Sequence, residues 1–159
     1  MSNAPRQVLI LAGGISHERD VSLRSGRRVA DSLQSHGIQV TLRDPDASLL
    51  PFLREHKPDV VWPALHGASG EDSALTGLLD FLGIPFVGSR ADAARLAWNK
   101  PVAKAIVSRA GVPTPRSITL TNETFRELGA AGVLASVAEE LPVPVVVKPA
   151  QGGSAQGVT

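Results

Sequence analysis

The chain of 159 residues has no cysteine, which excludes disulfides and thiolate metal sites and fits the cytosol. Neither charge sign is in excess: 16 Lys and Arg against 15 Asp and Glu leave a net charge of +1, and the basic residues are scattered. Neither nucleic acid nor a membrane surface is therefore an expected partner. Apolar runs are far too short to cross a bilayer. Met1 to Pro5 carry neither the charged nor the apolar region of a signal peptide, so the expectation is a cytoplasmic chain with a floppy start. Repeats and low-complexity tracts are missing. So is the GxGxxG spacing of a dinucleotide site, which disfavours a nicotinamide-binding Rossmann protein. What is present is a 43% hydrophobic fraction with 19% charged residues, enough apolar material for a core. The length suits one domain, or one small domain plus part of another.

Along the chain, strands and helices are expected to alternate. Residues 7–12 (QVLILA) read as a continuous buried strand, broken by Gly13 and Gly14. A helix over about 21–35 follows, with Ser22, Ser25, Gly26, Val29, Ala30 and Leu33 recurring at helical spacing on its inner face. Residues 38–43 and 59–65 (DVVWPAL) predict further strands, 49–56 a short helix, and 85–88 a short fourth strand. Ahead of the last, a helix over 73–82 is expected, with Ala74, Leu75, Leu78, Leu79 and Leu82 as an apolar stripe that reads either as core or as a pairing face, and with Gly83 and Pro85 ending it. This order predicts an α/β fold with a doubly wound parallel sheet. Its ligand site is expected at the carboxyl ends of the strands. From about Ala91 the pattern changes: helices near 91–98 and 101–110, a strand near 116–120, a helix within 128–140, and a strand over 143–148. The domain expectation is therefore 5–98 and 99–159.

Three stretches carry polar chemistry. In residues 13–20 (GGISHERD), Glu18 is placed at a strand-to-helix crossing, where a carboxylate can hold an ammonium; alternatively, Glu18 and Asp20 simply cap the helix. In residues 64–72 (ALHGASGED), His66 falls at a strand tip before a glycine, as a substrate contact would. Glu71 and Asp72 raise the question of metal ligation with His17 or Glu18, although helix capping accounts for both acids. In residues 98–104 (WNKPVAK), Lys100 at a helix start opposes the macrodipole by about 0.3–1 kcal/mol, a sign that a nearby phosphate reverses. A further stretch, 147–157, has Lys148 ending an apolar run and then Gly152, Gly153, Ser154 and Gly157. It reads either as a glycine-rich hairpin turn or as a phosphate-binding loop with backbone N–H donors and a lysine charge.

Taken together, LAGGISHERDVSLRSG, PALHGASGEDSALTGLLDFLGIPFVGS, NKPVAKAIVSRAGVPTP and VPVVVKPAQGGSAQG resemble, in order and spacing, the D-alanine–D-alanine ligases of the ATP-grasp superfamily. The resemblance implies a pre-ATP-grasp substrate domain followed by the start of an ATP-grasp domain. By position, Glu18 resembles the family's glutamate that holds the first D-alanine's ammonium, and His66 the histidine near its carboxylate. Lys100 and Lys148 look like the two lysines on the ATP phosphates. Gly152, Gly153 and Ser154 match the loop that closes on ATP, its serine linked by hydrogen bonds toward the glutamate.

The implied reaction joins two D-alanines through an acyl phosphate, for peptidoglycan precursors, with ATP and Mg2+. No Mg2+ ligand is expected in this chain, because the acidic ligands belong to the rest of the ATP-grasp lobe. The isolated chain is accordingly expected to be inactive. Two departures, Asn99 where an aspartate is common and Ala155-Gln156 in place of Ser-Val, keep a D-alanine–D-lactate or related D-amino-acid ligase open. The competing class is a non-catalytic binding or dimerisation module. A homodimer is expected from the resemblance.

Overall fold

The computed structural model describes residues 6–141 and 143–159; the expected floppy start, residues 1–5, lies outside them. The chain forms two compact units, 1–98 and 99–159.

In the first unit, β1 (Gln7–Leu11) is the central strand. It is followed by α1 (Arg19–Ser35), β2 (Gln39–Arg43), α2 (Leu49–His56) and β3 (Val60–Pro63). Then come a single turn, α3 (Ala68–Glu71), and α4 (Ala74–Phe81) and α5 (Ala91–Trp98). The sheet order is β2-β1-β3, all parallel, with Val8 opposite Val40 and Val60.

Side chains alternate across a strand, so β1 feeds two cores. Leu9 and Leu11 pack with Leu49, Leu53, Val61, Leu65 and Leu79, the side covered by α2 and α4. Val8, Ile10 and Ala12 pack with Ala30 and Ala64, beneath α1. Burial on both faces is why β1 reads as an unbroken apolar run.

The small inner residues of α1 let it lie close to the sheet: Ser22, Gly26 and Ala30 are buried. A Cβ at Gly26 would stand 2.4 Å from the Ala12 Cβ. At the opposite edge, the Asp59 carboxylate accepts hydrogen bonds from the backbone N–H groups of Arg6 and Gln7, both 2.8 Å. Those donors hold its carboxyl below the usual aspartate range.

The expected fourth strand is reduced to one parallel bridge, Val61 to Phe86. In α4 the buried positions are Thr76 and Leu79, while Leu78 and Leu82 are exposed. Leu79 and, partly buried, Leu75 pack on the core, so the buried face is turned from the centre of the leucine stripe toward Thr76.

The second unit holds α6 (Lys100–Arg109), α7 (Asn122–Leu128) and α8 (Ala130–Glu140). The single helix expected within 128–140 is thus preceded by another, the two separated by Gly129 at φ 79. Among the described residues, the strands expected at 116–120 and 143–148 are not formed. A strand needs a ladder, and among the described residues the second segment makes one reciprocal pair, between Val147 and Thr159 (2.8 and 2.9 Å). Val143, Val145, Val146 and Val147 are exposed.

Candidate substrate and phosphate sites

Because β1 and β3 are parallel neighbours, their carboxyl ends deliver residues 12–18 and 64–67 to one edge of the sheet. Ser22, from the first turns of α1, ties the two together: its Oγ accepts from the Gly13 N–H (2.8 Å) and donates to the Ala64 carbonyl (2.7 Å). Asp44, after β2, secures the same loop by accepting from the Gly14 N–H (2.8 Å) and pairing with Arg19. Ser16 Oγ donates to the His66 carbonyl at 2.8 Å and accepts from the Glu18 N–H at 3.2 Å.

This framework places Glu18 at the start of α1 with only 4% exposure. Although it occupies the helix's N-cap position, its side chain makes no capping hydrogen bond. The imidazole of His66 is held from the helix by Ser25, whose Oγ shares a 3.1 Å hydrogen bond with Nε2. Nδ1 faces Glu71 Oε1 at 4.0 Å.

Gly67 lies among these groups at φ 70, where an L side chain is strained. A Cβ there would meet Ser16 Oγ at 3.2 Å and Glu18 Oε1 at 3.3 Å. Its own N–H donates to Glu71 Oε1 at 3.3 Å. One ligand atom from each of Glu18, His66 and Glu71 thus lies within 4.8 Å of the other two.

The structure brings Glu18 and His66 together, and it adds residues that the sequence did not single out for this role. Ser22 and Ser25 read only as small inner-face positions. The usable signal was two hydroxyls three apart on a face directed at strand tips. Glu71 does not cap α4: it ends the separate turn α3, and the capping acceptor for the Ala74 N–H is Asp72 Oδ1 at 2.9 Å. His17, the other histidine of this loop region, is exposed.

In the second unit, Asn99 caps α6 by accepting from the Val102 N–H at 3.2 Å. Lys100 is held against the glycine-rich loop. Its Nζ donates to the Gly152 carbonyl at 2.7 Å, and its backbone N–H to the Ala150 carbonyl at 2.9 Å. Within the loop, Gly152 has φ 127, and Ser154 and Ala155 are consecutive left-handed residues at φ 46 and 56. Gly153 is half-buried, Ser154 exposed, and Lys148 exposed at the loop's entry. The loop closes as successive turns, with the Gln156 N–H donating to the Gly153 carbonyl at 3.0 Å and the Val158 N–H to the Ala155 carbonyl at 3.3 Å.

No family model matches the chain. The D-alanine–D-alanine ligase of Gloeobacter violaceus is 42% identical over 158 residues, which take in 96% of this chain and 49% of the relative. Among solved structures, the D-alanine–D-alanine ligase from Bacillus anthracis matches with a TM-score of 0.76 at 30% identity, over 96% of this chain and 48% of that one. The Bacillus anthracis ligase complexed with ATP matches with a TM-score of 0.75 at 29% identity, over 93% and 48%. The chain spans about half the length of the curated relatives it matches. In sequence and in fold the chain is similar to the amino-terminal half of D-alanine–D-alanine ligases.

Proposed function

We propose that this chain supplies the first-substrate site and part of the phosphate-binding apparatus of an ATP-dependent D-alanine–D-alanine ligase serving peptidoglycan synthesis in the cytoplasm. The observation that carries this is the buried Glu18 beside His66 at the strand tips. A carboxylate at 4% exposure attracts an ammonium far more strongly than one in water, because the surrounding dielectric is low. In this role Glu18 holds the amino group of the first D-alanine and His66 lies at its carboxylate.

Lys100, Lys148, the N–H groups of Gly152 and Gly153, and Ser154 receive the ATP phosphates. The carboxylate oxygen of the first D-alanine attacks the γ-phosphorus and ADP leaves, giving an acyl phosphate. The amine of the second D-alanine then attacks the acyl carbon, loses a proton, and expels phosphate. Lysines and preorganised N–H donors offset the repulsion between carboxylate and triphosphate. Exclusion of water protects the acyl phosphate.

Mg2+ is part of the family's chemistry. The lysines and N–H donors at the glycine-rich loop suit phosphate oxygens rather than a hard cation, which needs oxygen ligands. No step is therefore assigned to Mg2+ on these residues.

Calorimetry tests the site directly. D-alanine is expected to bind the chain, L-alanine to bind less tightly, and Glu18→Gln to abolish the difference. Equal D-alanine affinity in Glu18→Gln removes the role. Lys100→Met and Lys148→Met are each expected to weaken ATP binding. By itself the chain is expected to make no dipeptide, and robust D-alanine-dependent release of ADP by it would overturn that. Pairing of two copies through the first unit belongs to the same proposal. In α4, Leu78 and Phe81 are exposed, Phe81 at 86%. Light scattering that finds only monomer at high concentration removes the pairing.

A further inference from the structure

We propose that Glu18, His66 and Glu71 also form a site for a first-row divalent ion of the zinc class, and that this ion and a substrate ammonium exclude each other there. The exclusion rests on the ligase reading of Glu18, whereas the metal site stands on geometry.

Three donors from two separate segments converge, their ligand atoms within 4.8 Å of one another. One imidazole nitrogen and two carboxylate oxygens form a zinc-type set, and the two carboxylates balance the charge of a divalent ion. Calcium and magnesium, which take oxygen ligands, are poorer matches.

A tetrahedral ion with bonds of about 2.1 Å draws its ligand atoms to about 3.4 Å apart. His66 Nδ1 and Glu71 Oε1, at 4.0 Å, need to close only slightly, and their side chains are 33% and 39% exposed, which leaves room to do so. Glu18, at 4% exposure, is the fixed member.

Two features outside the donor set support the arrangement. Ser25 engages His66 Nε2 at 3.1 Å, leaving Nδ1 turned toward the acids, as the outer partner of a metal-bound histidine does. The Gly67 N–H, 3.3 Å from Glu71 Oε1, aims that carboxylate. Three protein ligands leave a fourth position open, as in exchangeable rather than structural zinc sites. Occupation of Glu18 by the ion removes the charge that an ammonium needs, so the metal acts as an inhibitor competing with the amino acid.

The test is titration of the chain with Co2+, followed by visible absorption, and then displacement by Zn2+. The expected result is one saturating equivalent with a four- or five-coordinate band. His66→Gln and Glu71→Gln are each expected to weaken binding at least about tenfold, and Ser25→Ala by about tenfold. His36→Gln, an exposed histidine at the end of α1, is expected to leave binding unchanged. Glu71 is only half-buried, so its variant keeps the test independent of folding.

D-alanine and L-alanine chelate Co2+ equally in solution. A greater loss of the band with the D enantiomer therefore reports competition at the site. Absence of a band, or equal affinity in the His66→Gln and Glu71→Gln variants, overturns the metal site. A band that depends on His66 and Glu71 but responds equally to both enantiomers overturns the exclusion and counts against Glu18 as the ammonium holder, leaving the metal triad standing.

Discussion

Replacing Ser22 by alanine removes one hydroxyl and leaves two buried backbone groups unmatched, the Gly13 N–H and the Ala64 carbonyl, bonded at 2.8 and 2.7 Å. Ser22 itself is 0% exposed, so water has no direct route to replace it. Each orphaned buried group costs about 1–3 kcal/mol, which sets a range of about 2–6. Relaxation of the loop that carries Gly13 brings the expected loss to about 2–4 kcal/mol. Against a typical total of about 5–15 kcal/mol this is a large fraction. Trp62 lies inside the first unit, whereas Trp98 is its last residue, so Trp62 fluorescence during urea unfolding, read in a Trp98→Phe background, reports on that unit. Ser35→Ala, at the exposed end of the same helix, is the control and should stay within about 0.5 kcal/mol. A Ser22→Ala loss below about 1 kcal/mol with an unchanged denaturant slope refutes the view that this hydroxyl joins the two strand tips.

Gly26→Ala is expected to push α1 off the sheet: overpacking of about 1–3 kcal/mol outweighs the roughly 1 kcal/mol that alanine gains over glycine in a helix. Adding Ala12→Gly should relieve the clash, and a plain stabilisation by Gly26→Ala would sink the close-approach argument. Asp59 has its folded pKa lowered by the N–H groups of Gln7 and Arg6. Its contribution is therefore full above the unfolded carboxylate value and is lost as pH falls through the folded one. Asp59→Asn should flatten the acid limb of stability against pH, and a limb of unchanged slope removes the linkage. Asn99→Ala should destabilise α6 by about 1 kcal/mol through loss of its cap. Asn99→Asp should add about 0.3–1 kcal/mol at low salt, and thermal unfolding that ranks the two the other way contradicts the cap.

The parts of the fold that local pattern controls were legible. The run from Val8 to Ala12 announced a strand buried on both faces, and it supplies both cores. Ser22, Gly26 and Ala30, four apart, marked the inner face of α1, and all three are buried. Elsewhere periodicity identified the elements but not their phase. Leu78 and Leu82 matched a leucine stripe, yet both are exposed and Thr76 is buried beside Leu79 instead. A strand also needs neighbours, and residues 143–148 carry the right side chains without a ladder to join. At the site, Glu18 and His66 could be paired because both follow strand tips of one sheet. Glu71 does serve a helix start, accepting from the Gly67 N–H, but that helix is the extra turn Ala68–Glu71, which no hydrophobic period encodes. The grip of Lys100 on the Gly152 carbonyl spans 52 positions, beyond what local spacing conveys.

The loop after β1 separates its foundation from its crest. Asp44, Arg19 and Ser22 anchor its base, while Ile15 is 100% exposed at its top. Random variation at position 15 should therefore leave folding untouched while changing the profile and greasiness of the loop's crest. A library restricted to that single codon would test, at almost no structural risk, whether the crest of this loop takes part in ligand selection.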